Sequence, residues 1–393
     1  MFLRNNRVGI LDLASGESSE QELQDETDWK RSSSISIADE LAKEHGVDSL
    51  VLGTGVLTAS FAPAACAGIV RSAGGVTPVL GFAGTELKLS GFDFVVLKGV
   101  AVKPGYVWMR DGMIEFVESE GMKALDSWGR TDKIRSDQGD NKIQVLSGGR
   151  WCDSGSPAAQ IVVDYWGGED KVGVGAEFGR KNLLGIAFRG MGELELAEPE
   201  GHFEESILMM REQVSRLGSN EGLASYTSYA RREDFKALVH RHVACYGCPF
   251  PCRSYLKVHE APQEFRLLVK EPGYLHYDIP ALSKAFELGL DAKSATDVLM
   301  KCARAGVEPV AVLSRSAETS QKVTSEVAYS VISAVGGISK SVGAANFEAS
   351  FTNNAEYLAC LGMGLCPRYW AKAGFDPEAV ARLGNDALGL GTG

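Results

Sequence analysis

Apolar and polar positions alternate along the first half of the chain in short runs, each closed by glycine or a turn residue. Residues 6–13 (Asn-Arg-Val-Gly-Ile-Leu-Asp-Leu) read as a strand, with Ala14-Ser15-Gly16 as its turn. Further strands are predicted at Leu50-Val51-Leu52-Gly53, Val76-Thr77-Pro78-Val79-Leu80, Phe94-Val95-Val96-Leu97-Lys98-Gly99 and Tyr106-Val107-Trp108-Met109. Asp111-Gly112 is a hairpin-type turn leading to Met113-Ile114-Glu115-Phe116. Strands return at 143–146, 160–163 and Ile186-Ala187-Phe188-Arg189-Gly190, the last closing the Gly-rich stretch 172–191. One short helix, opening at Ile37 and ending near His45-Gly46, interrupts the β pattern.

The period then changes. Phe203, Ile207, Met210, Val214 and Leu217 recur at helical spacing, and Gly218 ends the run. Helices are predicted from Ile279 to Leu288, from an Asp291 cap to about Gly306, over 317–335, and from Pro377 onward. The expected fold is α+β: a mainly β domain at 1–198 followed by a smaller, mainly helical domain at 199–393, divided near Glu198-Pro199-Glu200-Gly201.

Length and composition bound this picture. The 393 residues can bury a large core. Forty Lys and Arg against 51 Asp and Glu give a net charge of −11, with no basic run to neutralise phosphates, so neither nucleic acid nor an anionic membrane is an expected partner. Residues 49–70 carry no charge, but Pro63 and interspersed Gly and Ala mark strands and turns of a packed core, not a membrane span. The N-terminus lacks the apolar core of a signal peptide, and eight cysteines then suggest a reducing, cytoplasmic setting and metal chemistry rather than disulfides.

Three of those cysteines fall within Ala244-Cys245-Tyr246-Gly247-Cys248-Pro249-Phe250-Pro251-Cys252, in the order C-x2-C-x3-C. Such a local bite wraps one face of an iron–sulfur cluster while a distant thiolate closes the other. The residues alone point to a [4Fe-4S] site on Cys245, Cys248 and Cys252, with zinc as the rival, since C-x2-C is also a zinc-knuckle spacing. A zinc ribbon would add a second C-x2-C or a His pair, and neither follows. The radical-SAM order is the reverse of this one. Gly53-x-Gly55 lacks the third glycine and following helix of a dinucleotide site.

Five segments in order resemble the aldehyde ferredoxin oxidoreductase family of tungstopterin enzymes. They are Gly53-Thr54-Gly55-Val56-Leu57-Thr58; Gly84-Thr85-Glu86-Leu87-Lys88-Leu89-Ser90-Gly91-Phe92-Asp93; Lys98-Gly99-Val100-Ala101-Val102-Lys103-Pro104; Val174-Gly175-Ala176 with Gly179-Arg180-Lys181-Asn182-Leu183; and the cysteine segment itself. The resemblance implies an N-terminal β domain of that family's type, one [4Fe-4S] cluster and a ferredoxin-like or other redox protein partner. It also implies a fourth cluster ligand in the C-terminal D-x-x-G-L-C motif, whose end survives as Gly364-Leu365-Cys366. Cys366 is therefore the expected fourth ligand, with Cys360 as the fallback, while Cys66 and Cys302 read as buried small hydrophobes and Cys152 stays unassigned.

The departures fall on the pterin contacts. Phe286 and Leu361 stand where the family's two motifs begin with Asp, and apolar side chains accept nothing from a pterin ring. Ala67 and Pro78 align with a phosphate-contacting Arg and an Asn, and Lys171 with a second Arg, keeping charge without the fork. Leu275 replaces the catalytic Glu, leaving His276 and Glu271 as candidate proton-transfer groups. The inter-subunit iron motif is not visible and most of the family's third, helical domain is missing, which marks a shortened and divergent member, as a homodimer or hetero-oligomer. The expectation is an oxidoreductase centred on a [4Fe-4S] cluster, with a degenerate site for tungstopterin or molybdopterin, rebuilt or emptied. The alternatives are a non-catalytic electron-transfer or scaffold subunit, and a pterin aldehyde oxidoreductase with unusual contacts. Clusters ligated in this way suit an anaerobic setting.

Overall fold

A computed structural model describes residues 3–23, 33–217, 232–256, 274–275, 279–336, 338 and 354–388. The first sheet has the order β2-β1-β6-β3-β4-β5, built from β1 (Arg7–Asp12), β2 (Ser18–Glu22), β3 (Leu50–Thr54), β4 (Gly68–Ser72), β5 (Gly75–Val79) and β6 (Phe94–Lys98). Only β1 and β6 run parallel; the other neighbours are antiparallel. Leu50, Val51 and Leu52 of β3 and Phe94 to Leu97 of β6 are buried on both faces, which is why the central strands read as unbroken apolar runs. At the edge, β2 is Ser-Ser-Glu-Gln-Glu and almost wholly exposed, a polar border that resists pairing with another chain.

The second sheet, β10-β9-β11-β7-β8, holds β7 (Gly105–Arg110), β8 (Met113–Glu118), β9 (Gln144–Ser147), β10 (Val162–Val163) and β11 (Leu183–Arg189). The β7–β8 hairpin turns at Asp111-Gly112, both with positive φ, as that dipeptide predicts. Helices α1 (Ser34–His45), α2 (Ala83–Leu89), α3 (Ser127–Gln138), α4 (Arg150–Asp153) and α5 (Val174–Arg180) belong to this region. The uncharged stretch 49–70 becomes β3, a loop and the start of β4, as expected, and among the described residues no helix is long and apolar enough to cross a membrane.

Beyond residue 190 helices dominate: α6 (Pro199–Leu217), α7 (Glu233–Lys236), α8 (Ile279–Glu287), α9 (Ala292–Ala305), α10 (Pro309–Thr319), α11 (Ser325–Ser333), α12 (Asn354–Met363), α13 (Pro367–Ala373) and α14 (Pro377–Leu388). The α+β class therefore holds. A third sheet, β12 (Val239–Val243), β13 (Arg253–Leu256) and β14 (Tyr274–Leu275), flanks the three-cysteine segment and is absent from the sequence expectation.

The helix predicted over 317–335 divides instead into α10 and α11. Glu308 caps α10 ahead of Pro309, and the Thr324 side chain caps α11, so two start signals override one apolar period.

Candidate metal centre

The cysteine segment leaves β12, crosses a tight turn at Gly247 (φ 59°) and enters β13 at Arg253. Its backbone is held by two hydrogen bonds to the β-rich half: Tyr246 N donates to Gly81 O (3.0 Å) and Ala64 N to Gly247 O (3.0 Å). Cys366 arrives from far along the chain, at the N-terminus of α13, with Pro367 in the first helical position. Its N–H donates to Ala64 O (2.9 Å), and Ala67 N donates to Gly364 O (2.9 Å). The loop 64–67 thus holds the three-cysteine segment on one side and the Gly364–Cys366 turn on the other.

Close approach of backbones makes this possible. Gly364 sits at φ +92°, and a Cβ there would collide with Thr58. A Cβ on Gly55 would collide with the backbone of Met363 and Gly364. Glycine at both positions seats the Gly-Leu-Cys turn on the 55–58 loop, where Leu57 N donates to Met363 O (2.9 Å).

Cys245, Cys252 and Cys366 are buried and Cys248 is half-buried. Cys248 and Cys252 both lie within electrostatic reach of Cys245 and Cys366. Burial, reinforced by the neighbouring sulfur charges, pushes the Cys248 and Cys252 thiols up. Cys245 goes the other way, down to about 6, through a hydrogen bond from Cys66, against its own burial and aided by the Arg253 and Arg368 guanidiniums. Cys366 is lowered by the same Cys66 contact, with the Tyr369 N–H and Arg368 assisting. Among the described residues no three His, Cys, Asp or Glu close around a single ion.

Both guanidiniums are buried parts of the site. Arg253 is 4% exposed and lies over the Trp166 ring, 5.1 Å from its centroid. Arg368 forms a two-pronged pair with Glu169: Nη2 donates to Oε2 at 2.9 Å and Nη1 to Oε1. Trp370, on the same short helix, donates from Nε1 to Pro63 O (3.0 Å), anchoring α13 to the loop that carries Cys66.

The remaining sequence candidates are placed as follows. Lys171 donates to Glu308 Oε1 (3.2 Å), the buried cap of α10, and the adjacent Asp170 accepts N–H groups from Ile161, Val172, Gly173, Val174 and Gly175, which fixes the backbone around it. His276 and Glu271 lie outside the described residues. Cys360 is buried in α12, and its thiol is pushed up by that burial. Phe286 packs under Arg232, whose guanidinium is 4.4 Å from the ring centroid, and Leu361 and Ala67 are fully enclosed. Pro78 sits in β5 opposite Ile69. Cys302 is core, as expected, and Cys152 is a core thiol pushed up to about 12 by burial.

Cys66 is fully buried, as expected, and sits in the loop 64–67 that bridges two segments far away in the chain.

Beside α12 lies a cavity of about 560 Å³, walled by Val56, Ala359, Met363, Phe375, Val380 and Leu388, with Glu356 and Asn385 as its polar groups. One face of α12 therefore lines this cavity while Cys360 and Leu361 face the core.

Known proteins are similar to this chain in sequence or in fold. The N-terminal domain model of aldehyde ferredoxin oxidoreductase matches residues 10–190. The tungsten-containing aldehyde ferredoxin oxidoreductase of Pyrococcus furiosus is 25% identical over 248 residues, 52% of this chain and 40% of that one. Its Pyrococcus abyssi counterpart is 29% identical over 181 residues, 43% of this chain and 28% of that one. The match thus spans less than half the length of these relatives. Among solved structures, the active-site complex BamBC of benzoyl coenzyme A reductase, in complex with 1,5-dienoyl-CoA, shares the fold: TM-score 0.68 at 16% identity, over 99% of this chain and 64% of that one. Residues 10–190 are therefore similar to the N-terminal domain of the aldehyde ferredoxin oxidoreductase family, and the chain resembles that family's tungsten-containing members at 25–29% identity.

Proposed function

We propose that the chain holds a [4Fe-4S] cluster on Cys245, Cys248, Cys252 and Cys366 and acts as an iron–sulfur oxidoreductase in which the family's pterin contacts are lost. The observation that supports this reading is the loop 64–67, whose backbone hydrogen bonds to Gly247, Gly364 and Cys366 hold the two cysteine-bearing segments side by side, next to the buried Arg253 and Arg368. Thiolates suit iron, and a cluster with four of them is anionic, so Arg253 and Arg368 supply charge of the sign it requires. When bound, the cluster supplies one-electron transfer.

The chain's own residues do the rest. The loop 64–67 and Trp370 close the space against water. The cavity beside α12 offers an apolar substrate a place near the centre, with Glu356 and Asn385 to orient one polar group. His276 and Glu271 are the proposed proton-transfer groups and Lys171 a polar group near the former cofactor position. The loss of pterin contacts rests on apolar Phe286, Leu361 and Ala67, enclosed where the family's motifs place carboxylates and an arginine. Each lost charged hydrogen bond is worth roughly 1–3 kcal/mol, so their joint absence removes tight pterin binding in the family's manner.

A second reading is an electron-transfer subunit, working in a homodimer or hetero-oligomer and delivering electrons to a ferredoxin-like or other redox protein. It is favoured by the shared fold with a chain from a multi-component reductase complex.

Two substitutions in anaerobically purified protein test the ligand set. Cys366→Ala is expected to lose the cluster's visible absorption and reduced-state EPR signal, while Cys360→Ala keeps both. The reverse result would transfer the fourth position to Cys360, and retention in both would refute the set. His276→Ala then separates the two readings: loss of turnover with cluster reduction intact supports catalysis, and unchanged behaviour supports the subunit.

A further inference from the structure

We infer that the pocket between the turn before α3, α4, α9 and α11 is a binding site for a small organic phosphate, independent of the proposed cluster. The pocket has a volume of about 510 Å³, and none of its lining residues belongs to the cysteine centre. Four cations line it, Lys123, Arg150, Lys301 and Arg304, against a single carboxylate among the described residues, Asp126. That balance is opposite in sign to the chain as a whole, whose net charge is −11. A concave wall of one sign focuses its field in the opening and draws in a counter-ion.

The nearby carboxylates are already committed. One Asp126 oxygen caps α3, accepting from Gly129 N (2.8 Å), and the other accepts from Arg304 Nε (2.7 Å). Asp297 is shared between Lys301, whose Nζ is 3.4 Å from its Oδ2, and the Tyr329 hydroxyl. Lys123 and Arg150 have no carboxylate partner among the described residues, so two positive charges stay uncompensated. A phosphate monoester, at about −1.5 to −2 near neutral pH, matches that charge.

The cations are also held in place. Arg150 Nη2 donates to Ile332 O (2.8 Å), which fixes its fork at the wall. Arg304 lies over Trp128, 5.3 Å from the ring centroid, and Lys301 Nζ lies 3.3 Å from that of Tyr329. The turn that carries Lys123 is tied down by the buried Arg130, which donates to Met122 O (3.2 Å) and Lys123 O (3.3 Å). Leu125, Ala305 and Ile332 add apolar wall to a space larger than a bare phosphate fills, so the anion comes with an organic body.

The test is calorimetric titration of the full chain with adenosine monophosphate, inorganic phosphate and adenosine. It is run on the wild type, Lys123→Ala, Arg150→Gln and Lys322→Ala, the last being exposed and outside the pocket. The monophosphate is expected to saturate a single site, more tightly than inorganic phosphate and more weakly as salt is raised, while adenosine does not bind. Lys123→Ala and Arg150→Gln are each expected to weaken it about tenfold or more, the cost of a charge-assisted hydrogen bond, and Lys322→Ala to leave it unchanged. Lys123→Ala serves alone should the Arg150 variant misfold. No saturable binding of either phosphate would overturn the site, and adenosine binding as tightly as its monophosphate would overturn recognition of the anion. Equal affinities for the two phosphates would overturn the organic body. An unchanged affinity in Lys123→Ala, or an equal loss in Lys322→Ala, would place the binding elsewhere and overturn the assignment.

Discussion

Glu169 and Arg368 are 4% and 5% exposed at their side chains and meet across the junction of the two halves. Removing one partner strands a buried charge, which costs roughly 3–5 kcal/mol. Glu169→Ala should therefore lower the unfolding midpoint far more than alanine at an exposed pair such as Arg216–Glu212, and an equal effect in denaturant unfolding would contradict the burial described here. Lys88 makes a different prediction. It is fully buried, with Nζ donating to Gly55 O and Val56 O at 2.9 Å each, and burial lowers its pKa from 10.5 to about 7. Between those pH values the unfolded chain carries the proton and the folded chain does not. Stability should thus rise with pH through that window, with the full penalty present below pH 7. Lys88→Met should flatten this rise, as followed by urea midpoints at several pH values. The sequence showed the three-cysteine segment and Cys366 as chemistry because their spacing and motif are local. It gave no hint of the loop 64–67, which backbone hydrogen bonds tie to both cysteine-bearing segments, or of Arg253 and Arg368, whose importance is their burial.

At the scale of elements, strands were read best. The runs at 50–53, 94–99 and 106–116 recur as β3, β6 and the β7–β8 hairpin because their apolar pattern and turn residues agree with the sheets they join. Helices with ordinary caps were also legible: the Asp291 side chain accepts from Ser294 N (2.7 Å) and Gly306 ends α9 in the left-handed conformation, both as expected. Asp291→Ala should destabilise the fold by about 1 kcal/mol, measured by equilibrium unfolding, whereas Asp291→Asn should cost much less. What escaped were helices without an apolar stripe. In α3 the sequence Ser-Trp-Gly-Arg-Thr-Asp-Lys-Ile-Arg-Ser-Asp-Gln offers little periodicity, although Asp126 and Gly139 cap it well. Glycines at 175 and 179 hid α5 by their low helix propensity. The sheet β12-β13-β14 is not legible because its strands are only two to five residues long and β12 carries His240, Arg241 and His242 in its middle.

At the scale of the molecule, the proposed centre would lie where the β-rich half meets the helices, each half supplying what the other lacks. The helical region brings every proposed ligand, Cys245, Cys248, Cys252 and Cys366. The β-rich region brings the loop 64–67, the Gly55 approach and Glu169, which hold those ligands in place. The positions that the sequence resemblance equates with pterin contacts, by contrast, hold side chains that pack or pair within the protein, such as Leu361 in the core and Lys171 on Glu308. An account in which the cluster is retained and the pterin lost is tested most directly by metal analysis of the anaerobically purified chain. It predicts about four irons per chain, without tungsten or molybdenum. Tungsten or molybdenum near one per chain, or zinc in place of iron, would contradict it.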